Sequence, residues 1–326
     1  MKKNINDILW IFSWPPPEII PSYVVGGIMP ADYLKIQKVI FLENHDPKSF
    51  LLEFKPKLII INKAFHSKVT LLVQEARDLN IKIISVFDDW HFSNTGYDKP
   101  LFEYNKIIAN YSDAIVVKTA TAANLVKNNI GLVPQVIHDC LRFNSQDPIR
   151  DIKYPFEICW FGMHTNQDTF FEKGLNEIQK FDYECNIRII TNRHNLLKER
   201  INKLELKKIN LNLIKWHKSA DKEIIKSDIV IIPYINDQKR SVKSHNRIID
   251  SLNLGRLTII SKLPLTLDFE KYCFLGSMGD GLKWIKENKE LAINMLTDGS
   301  KFVKNNYNIE TISNEWKKLI DQTLKQ

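Results

Sequence analysis

The sequence predicts an α/β protein built from two doubly wound, Rossmann-like halves. Three observations carry this. Short β-branched apolar runs alternate with amphipathic stretches in the first part of the chain. A polar seam with two prolines, RFNSQDPIRDIKYPF at 141–155, breaks the pattern. The same alternation then restarts. A chain of 326 residues with 44% hydrophobic residues is long enough to give each half its own core.

In the first half the apolar runs are Ile8–Ser13, Val39–Leu42, Leu58–Ile61, Ile81–Val86, Ala114–Val117 and Gln135–Ile137. Their length and β-branched content fit buried parallel strands. Helical patterns lie between them, as at Ser67–Asp78 and Thr119–Asn128. In the second half strands are expected at Glu157–Phe161, Ile187–Thr191, Leu211–Ile214, Ile229–Pro233 and Leu257–Ile260. Asp221–Lys226 and Lys243–Leu254 read as helices there. The chain closes on an amphipathic helix over Ile309–Leu324, with Ile309, Ile312, Trp316, Leu319 and Leu324 near helical spacing. Strand–helix alternation of this kind implies βαβ units. Ligands in such sheets sit beyond the carboxyl ends of the strands, so two facing halves would make a cleft.

The net charge is +8. Residues 1–150 hold 17 Lys and Arg against 15 Asp and Glu, and the rest 29 against 23, so the second half carries +6 of the excess. The bland reading, solvated lysines on helix faces, explains most of that; the sharper reading is an anionic ligand held by the second half. No Lys/Arg stripe is interleaved with aromatics, and no zinc-finger or homeodomain spacing occurs, which sets nucleic acid aside. The four cysteines form no CxxC pair and read as buried thiols of a reducing compartment. The first apolar run is short, contains Asp7 and ends in three prolines, so it reads as a strand and not a signal peptide. No run approaches the 18 apolar residues a membrane span needs. A cytoplasmic protein is expected, and the basic excess would permit peripheral contact with an anionic membrane.

Four stretches carry chemistry. In KRSVKSHNRIIDSLNLGRLTII, residues 239–260, Lys243, Asn246, Arg247 and Asp250 share one helical face. The bland reading is a solvated face. Against it, Lys243 and Arg247 are like charges one turn apart, near a helix N-terminus that disfavours cations. A bound diphosphate turns both penalties into attraction. Asn246 would donate a further hydrogen bond, and Asp250 would accept one from a ribose hydroxyl. In EICWFGMHTNQD, residues 157–168, Gly162 ends a strand and lets a ligand approach the backbone, with His164 and Thr165 as phosphate donors; a plain βα turn also uses glycine. In SVFDDWHF, residues 85–92, a strand delivers Asp88, Asp89 and His91 to its carboxyl end. These suit acid–base work or acceptor hydroxyls, or a charged capping loop. They are also legal metal ligands, but the sequence places no third or fourth partner, so no metal is expected. Trp216 follows another strand and either stacks a nucleobase or packs in the core.

Taken together and in order, these residues resemble the GT-B glycosyltransferases, close to the large family 4, or "glycosyl transferases group 1", superfamily. SDIVIIPY followed by RIIDSLNLGRLTII matches the order of that group's donor domain, with Asp250 for its ribose-binding glutamate and Gly255 before the last strand. WFGMH resembles its donor-facing glycine loop, and FDDWHF its acceptor side. One departure is plain: where many members carry an acid eight positions ahead, this chain has Val242. The resemblance implies an acceptor-side domain over 1–150, a donor domain over 151–305 and a final helix, 306–326, crossing back to the first domain. It implies transfer from a UDP- or GDP-linked sugar to a sugar or lipid-linked acceptor of a bacterial surface polysaccharide or glycolipid, with retention of configuration. Lys243 and Arg247 would stabilise the leaving diphosphate, and Asp89 and His91 would serve the acceptor. Two other readings are a nucleotide-sugar epimerase of the same architecture and a non-catalytic nucleotide-sugar-binding homologue.

Overall fold

A computed structural model describes residues 7–13, 21–90, 92, 99–181 and 183–326. The chain divides into two compact units. One comprises Met1–Cys140, Ser241–Ser244 and Tyr307–Gln326; the other comprises Leu141–Arg240 and His245–Asn306.

The first unit is built on six parallel strands: β1 (Ile8–Phe12), β2 (Gln37–Ile40), β3 (Leu58–Asn62), β4 (Lys82–Phe87), β5 (Ala114–Val117) and β6 (Gln135–Val136). Their order is β2-β1-β3-β4-β5-β6. Every residue of β1 and β3 is buried, as expected of central strands covered on both faces. The helices between them are bounded by ordinary caps. Asp46 accepts the Ser49 N–H ahead of helix Pro47–Phe54, and Thr119 accepts the Ala122 N–H ahead of helix Ala120–Ile130, which Gly131 ends in the left-handed region.

The final helix, Ile309–Thr323, belongs to this unit and is capped by Asn308. Its buried stripe of Ile312, Trp316, Leu319 and Ile320 packs with Trp10 of β1, whose ring meets that of Trp316 edge-on at 4.8 Å. Beneath the tryptophans lies an ion pair closed to solvent. Lys118 Nζ is 3.2 Å from Asp139 Oδ1, and both side chains are 1% exposed. The ammonium also lies 5.5 Å from the Trp316 ring centre.

The second unit has strands β7 (Phe156–Phe161), β8 (Cys185–Thr191), β9 (Ile209–Lys215), β10 (Ile229–Ile232), β11 (Leu257–Ile260) and β12 (Phe274–Leu275), in the order β12-β11-β10-β7-β8-β9. All pair in parallel. The sequence located five of them; β12 is a two-residue edge strand defined by its pairing with β11. Helices Met278–Glu287 and Lys289–Asn306 pack after it. Gly255, ahead of β11, has φ 68°, and a Cβ there would sit 2.2 Å from the Asp147 carbonyl oxygen, so the position accepts only glycine.

The helix expected over Lys243–Leu254 is shorter: it runs from Asn246 to Asn253. The reason is tertiary. Val242 is 3% exposed and sits in the first unit's core among residues such as Leu9, Phe87 and Val117. That burial holds the preceding segment out of the helix, and Lys243 with it.

Removing one partner of a buried ion pair strands the other charge. Lys118→Met should therefore lower stability by about 3–5 kcal/mol. Lys118→Met with Asp139→Leu should recover much of that loss. Urea unfolding of the single and double variants tests this; equal losses in both would contradict it.

Candidate functional site

In the second sheet the chain leaves β7 toward β8 and β9 on one side, then returns to place β10 on the other. The carboxyl ends of β7 and β10 therefore flank the switch point where open α/β sheets bind ligands. The pairing at this seam is short. β10 and β7 share two rungs, Ile229 with Ile158 and Val230 with Cys159. Trp160 and Phe161 continue on β8 alone, while Ile231 and Ile232 continue on β11 alone.

Gly162 follows β7 and donates its N–H to the Ile190 carbonyl at 3.1 Å. A Cβ placed on it would lie 3.5 Å from Trp160 and 3.6 Å from Arg247 Nη1, ordinary contacts that the fold tolerates. His164 begins the next short helical turn. Its backbone N–H donates to Asn192 Oδ1 at 2.9 Å, and its Nδ1 lies 3.2 Å from the same oxygen. Thr165 is exposed beside it. After β10 the Tyr234 N–H donates to Ser261 Oγ, and the Arg247 guanidinium lies 5.0 Å from the Tyr234 ring centre.

Helix Asn246–Asn253 has no side-chain cap at its N-terminus. Two polar atoms at that end, Arg247 Nη1 and Asn246 Oδ1, are buried without a hydrogen-bond partner. Buried polar atoms are nearly always satisfied in folded proteins, so this donor and this acceptor leave capacity for a ligand atom or ordered water. The helix end adds positive potential from its uncapped N–H groups.

The other expected donor residues fall less simply. Asp250 is 4% exposed, and its Oδ1 accepts the Arg142 backbone N–H at 3.1 Å. It stands behind the site, fixing the start of the second unit, and is not the exposed hook that helical spacing suggested. The Arg142 side chain covers one neighbour: its guanidinium carbon lies 5.0 Å from the Trp216 ring centre. Burial pulls the Arg142 pKa below the ordinary arginine value, and the Asp250 carboxylate opposes that shift. Trp216 is half-buried, with its indole Nε1 unpartnered.

Lys243 is not on the helical face with Arg247. It precedes the helix and forms an ion pair with Asp89 in the first unit. There the carboxyl ends of β3 and β4 carry a network. Lys63 Nζ is 2.7 Å from Asp88 Oδ2 and 3.8 Å from Asp89 Oδ2, and it lies 5.5 Å from the Tyr23 ring centre. Burial alone would lower the Lys63 pKa, but the two carboxylates outweigh it and hold it above the ordinary lysine value. His91 lies outside the described residues. Sequence reasoning missed Lys63, Arg142, Asn192 and Tyr234. Only Tyr234, adjoining the proline after an apolar run, carried a local signal. Among the described residues no group of three or more His, Cys, Asp or Glu side chains is placed to hold a metal ion, and no helix is long and apolar enough to cross a membrane.

Two parallel six-stranded sheets in Rossmann-like units, with the last helix packed into the first unit, define the GT-B fold. Solved GT-B structures superpose on this chain. Anabaena HepE in complex with UDP-glucose matches with a TM-score of 0.72 at 9% identity, covering 97% of this chain and 99% of that one. S. aureus TarM, in a complex with fondaparinux, alpha-GlcNAc-glycerol and UDP, matches with a TM-score of 0.61 at 14% identity, over 84% of this chain and 58% of its own. S. aureus MnaA with UDP gives 0.57 at 12% identity, over 98% and 96%. No family model and no curated protein sequence matches the chain.

Gly162→Ala offers a clean probe, because its methyl group meets no close protein atom but points toward Arg247 Nη1. Thermal stability should change by less than about 1 kcal/mol. Affinity for UDP should fall by roughly tenfold, read by isothermal calorimetry, if a phosphate oxygen approaches Arg247 past this backbone.

Proposed function

We propose that the chain is a glycosyltransferase that takes its sugar from a nucleotide diphosphate sugar held by the second unit. The carrying observation is the pair of buried, unpartnered atoms, Arg247 Nη1 and Asn246 Oδ1, at an uncapped helix start beside the glycine that ends β7. A diphosphate satisfies that arrangement. Its oxygens accept from the guanidinium and from the helix N–H groups. The Asn246 side chain, with its carbonyl unpartnered, suits a sugar or ribose hydroxyl. His164 and Thr165 stand at the start of the turn after Gly162 and extend the same donor row.

The chemistry follows from charge. As the bond from the anomeric carbon to the diphosphate oxygen breaks, its electron pair leaves on the diphosphate. Arg247 and the helix start stabilise the charge that builds there. Arg247 also rests on the Tyr234 ring, which fixes its direction before the ligand arrives. Lys243, engaged by Asp89, moves in this reading from the diphosphate to the acceptor side. Asp250 holds Arg142, and Arg142 with Trp216 forms the flat surface on which a base would rest. UDP is the favoured nucleotide, because the HepE, TarM and MnaA structures carry UDP or UDP-glucose. Retention of configuration at the sugar remains part of the proposal, and so does a polysaccharide or glycolipid acceptor.

A thermal-shift panel of UDP, GDP, ADP and CMP tests the donor site. UDP at about 100 times its Kd should add about 2.7 kcal/mol, a rise of several degrees in Tm. Arg247→Ala should weaken UDP by about ten- to a hundredfold, the worth of a hydrogen bond to a charged group. If no nucleotide raises Tm, the proposal fails. Incubation with UDP-glucose then separates enzyme classes. A transferase releases UDP in proportion to added acceptor, and proton NMR of the product reads its anomeric configuration. An epimerase changes the sugar and leaves it on UDP.

A further inference from the structure

We infer that the first unit binds a neutral, hydroxyl-rich acceptor through Asp89 and Lys243, with Lys63 as the residue that positions Asp89. This rests on the glycosyltransferase reading only for the word acceptor; the binding chemistry is argued from the network itself.

The network sits at the carboxyl ends of β3 and β4. β3 also flanks the first sheet's own switch point, where the chain order reverses between β1 and β3. Two ammonium groups and two carboxylates meet there, so the formal charge is zero. They are not equally accessible. The Asp88 and Lys63 side chains are 2% and 13% exposed, whereas those of Asp89 and Lys243 are 34% and 35% exposed. Solvent therefore meets one carboxylate and one ammonium, already paired with each other.

That pairing selects for chemistry. A phosphate drawn to Lys243 must lie against Asp89, and a sugar carboxylate meets the same repulsion. A cation drawn to Asp89 meets Lys243 and Lys63. A hydroxyl group escapes this conflict, because it both donates and accepts. Neighbouring hydroxyls on a sugar ring can donate to Asp89 and accept from Lys243 at once, and neither contact brings in net charge.

Lys63 explains why Asp89 holds its place. It follows β3 directly at φ 53°, in the left-handed region that non-glycine residues rarely occupy. The other described non-glycine residues with positive φ, Lys35, Lys55 and Asn80, follow helix ends, where that conformation is common. Lys63 is also tied from behind: its carbonyl accepts from Ser13 Oγ at 2.5 Å. Its ammonium thus reaches both aspartates from a fixed backbone, holding Asp88 closely and Asp89 more loosely.

The experiment is saturation-transfer NMR on the full chain with UDP present. Maltose and cellobiose serve as neutral probes, and glucose 6-phosphate and glucuronate as anionic ones. Wild type should bind a neutral probe at least tenfold more tightly than an anionic one. Asp89→Asn removes one negative charge, so neutral binding should fall about tenfold and the anionic-to-neutral ratio should rise. Lys243→Met, at a half-exposed position, guards against a folding failure in Asp89→Asn and should weaken anionic probes more than neutral ones. Lys63→Arg should keep neutral binding and Lys63→Met should lose it, with the UDP thermal shift intact in both. Anionic probes binding wild type as tightly as neutral ones would overturn the inference, as would an unchanged ratio in Asp89→Asn or binding by no neutral probe. A UDP shift without neutral-sugar binding defeats this inference alone. Neutral-sugar binding without a UDP shift defeats the transferase reading and leaves a sugar-binding site.

Discussion

The second unit turns on a seam two rungs long. Here β7 and β10 lie side by side, with Ile229 level with Ile158 and Val230 with Cys159, and between them the chain order reverses. Gly162 follows β7, and Tyr234 and helix Asn246–Asn253 follow β10, so the segments leaving both strands start from the same end of the sheet.

The polar residues at the carboxyl end of the second sheet divide into those with unpartnered atoms and those that hold others. Arg247 and Asn246 have buried atoms with no partner, so their hydrogen-bonding capacity is unspent. Asp250 already has one oxygen engaged, by the Arg142 N–H. The Asn192 side-chain oxygen is likewise engaged, by the His164 N–H. This separates residues that chemistry-minded reading treats alike. Polar atoms that lack partners say more than polar residues that merely gather.

Much of the fold was legible in the sequence. Eleven of the twelve strands overlap the apolar runs, and central ones such as β1 and β10 are apolar throughout because they are covered on both faces. The twelfth, Phe274–Leu275, is an edge strand defined by its pairing with β11. The site was legible in outline only. Gly162 does end a strand and Arg247 does lie at a helix start, since strand ends and helix starts are local features. Lys63 was not legible, because nothing in IIINKAF announces that its lysine takes a left-handed backbone and turns to two aspartates about 25 residues on. The helix boundary at Asn246 was missed for a related reason. Spacing places Lys243 on the helix, and only the burial of Val242 in a distant core removes it.

Val242 occupies the place where the resembling group often keeps an acid. Its neighbours in the first unit are apolar, and it is as closed to water as they are. An unpaired carboxylate in such surroundings costs several kcal/mol. At this position an acid and the packing of the first unit therefore exclude one another: the side chain that closes the core here has to be apolar.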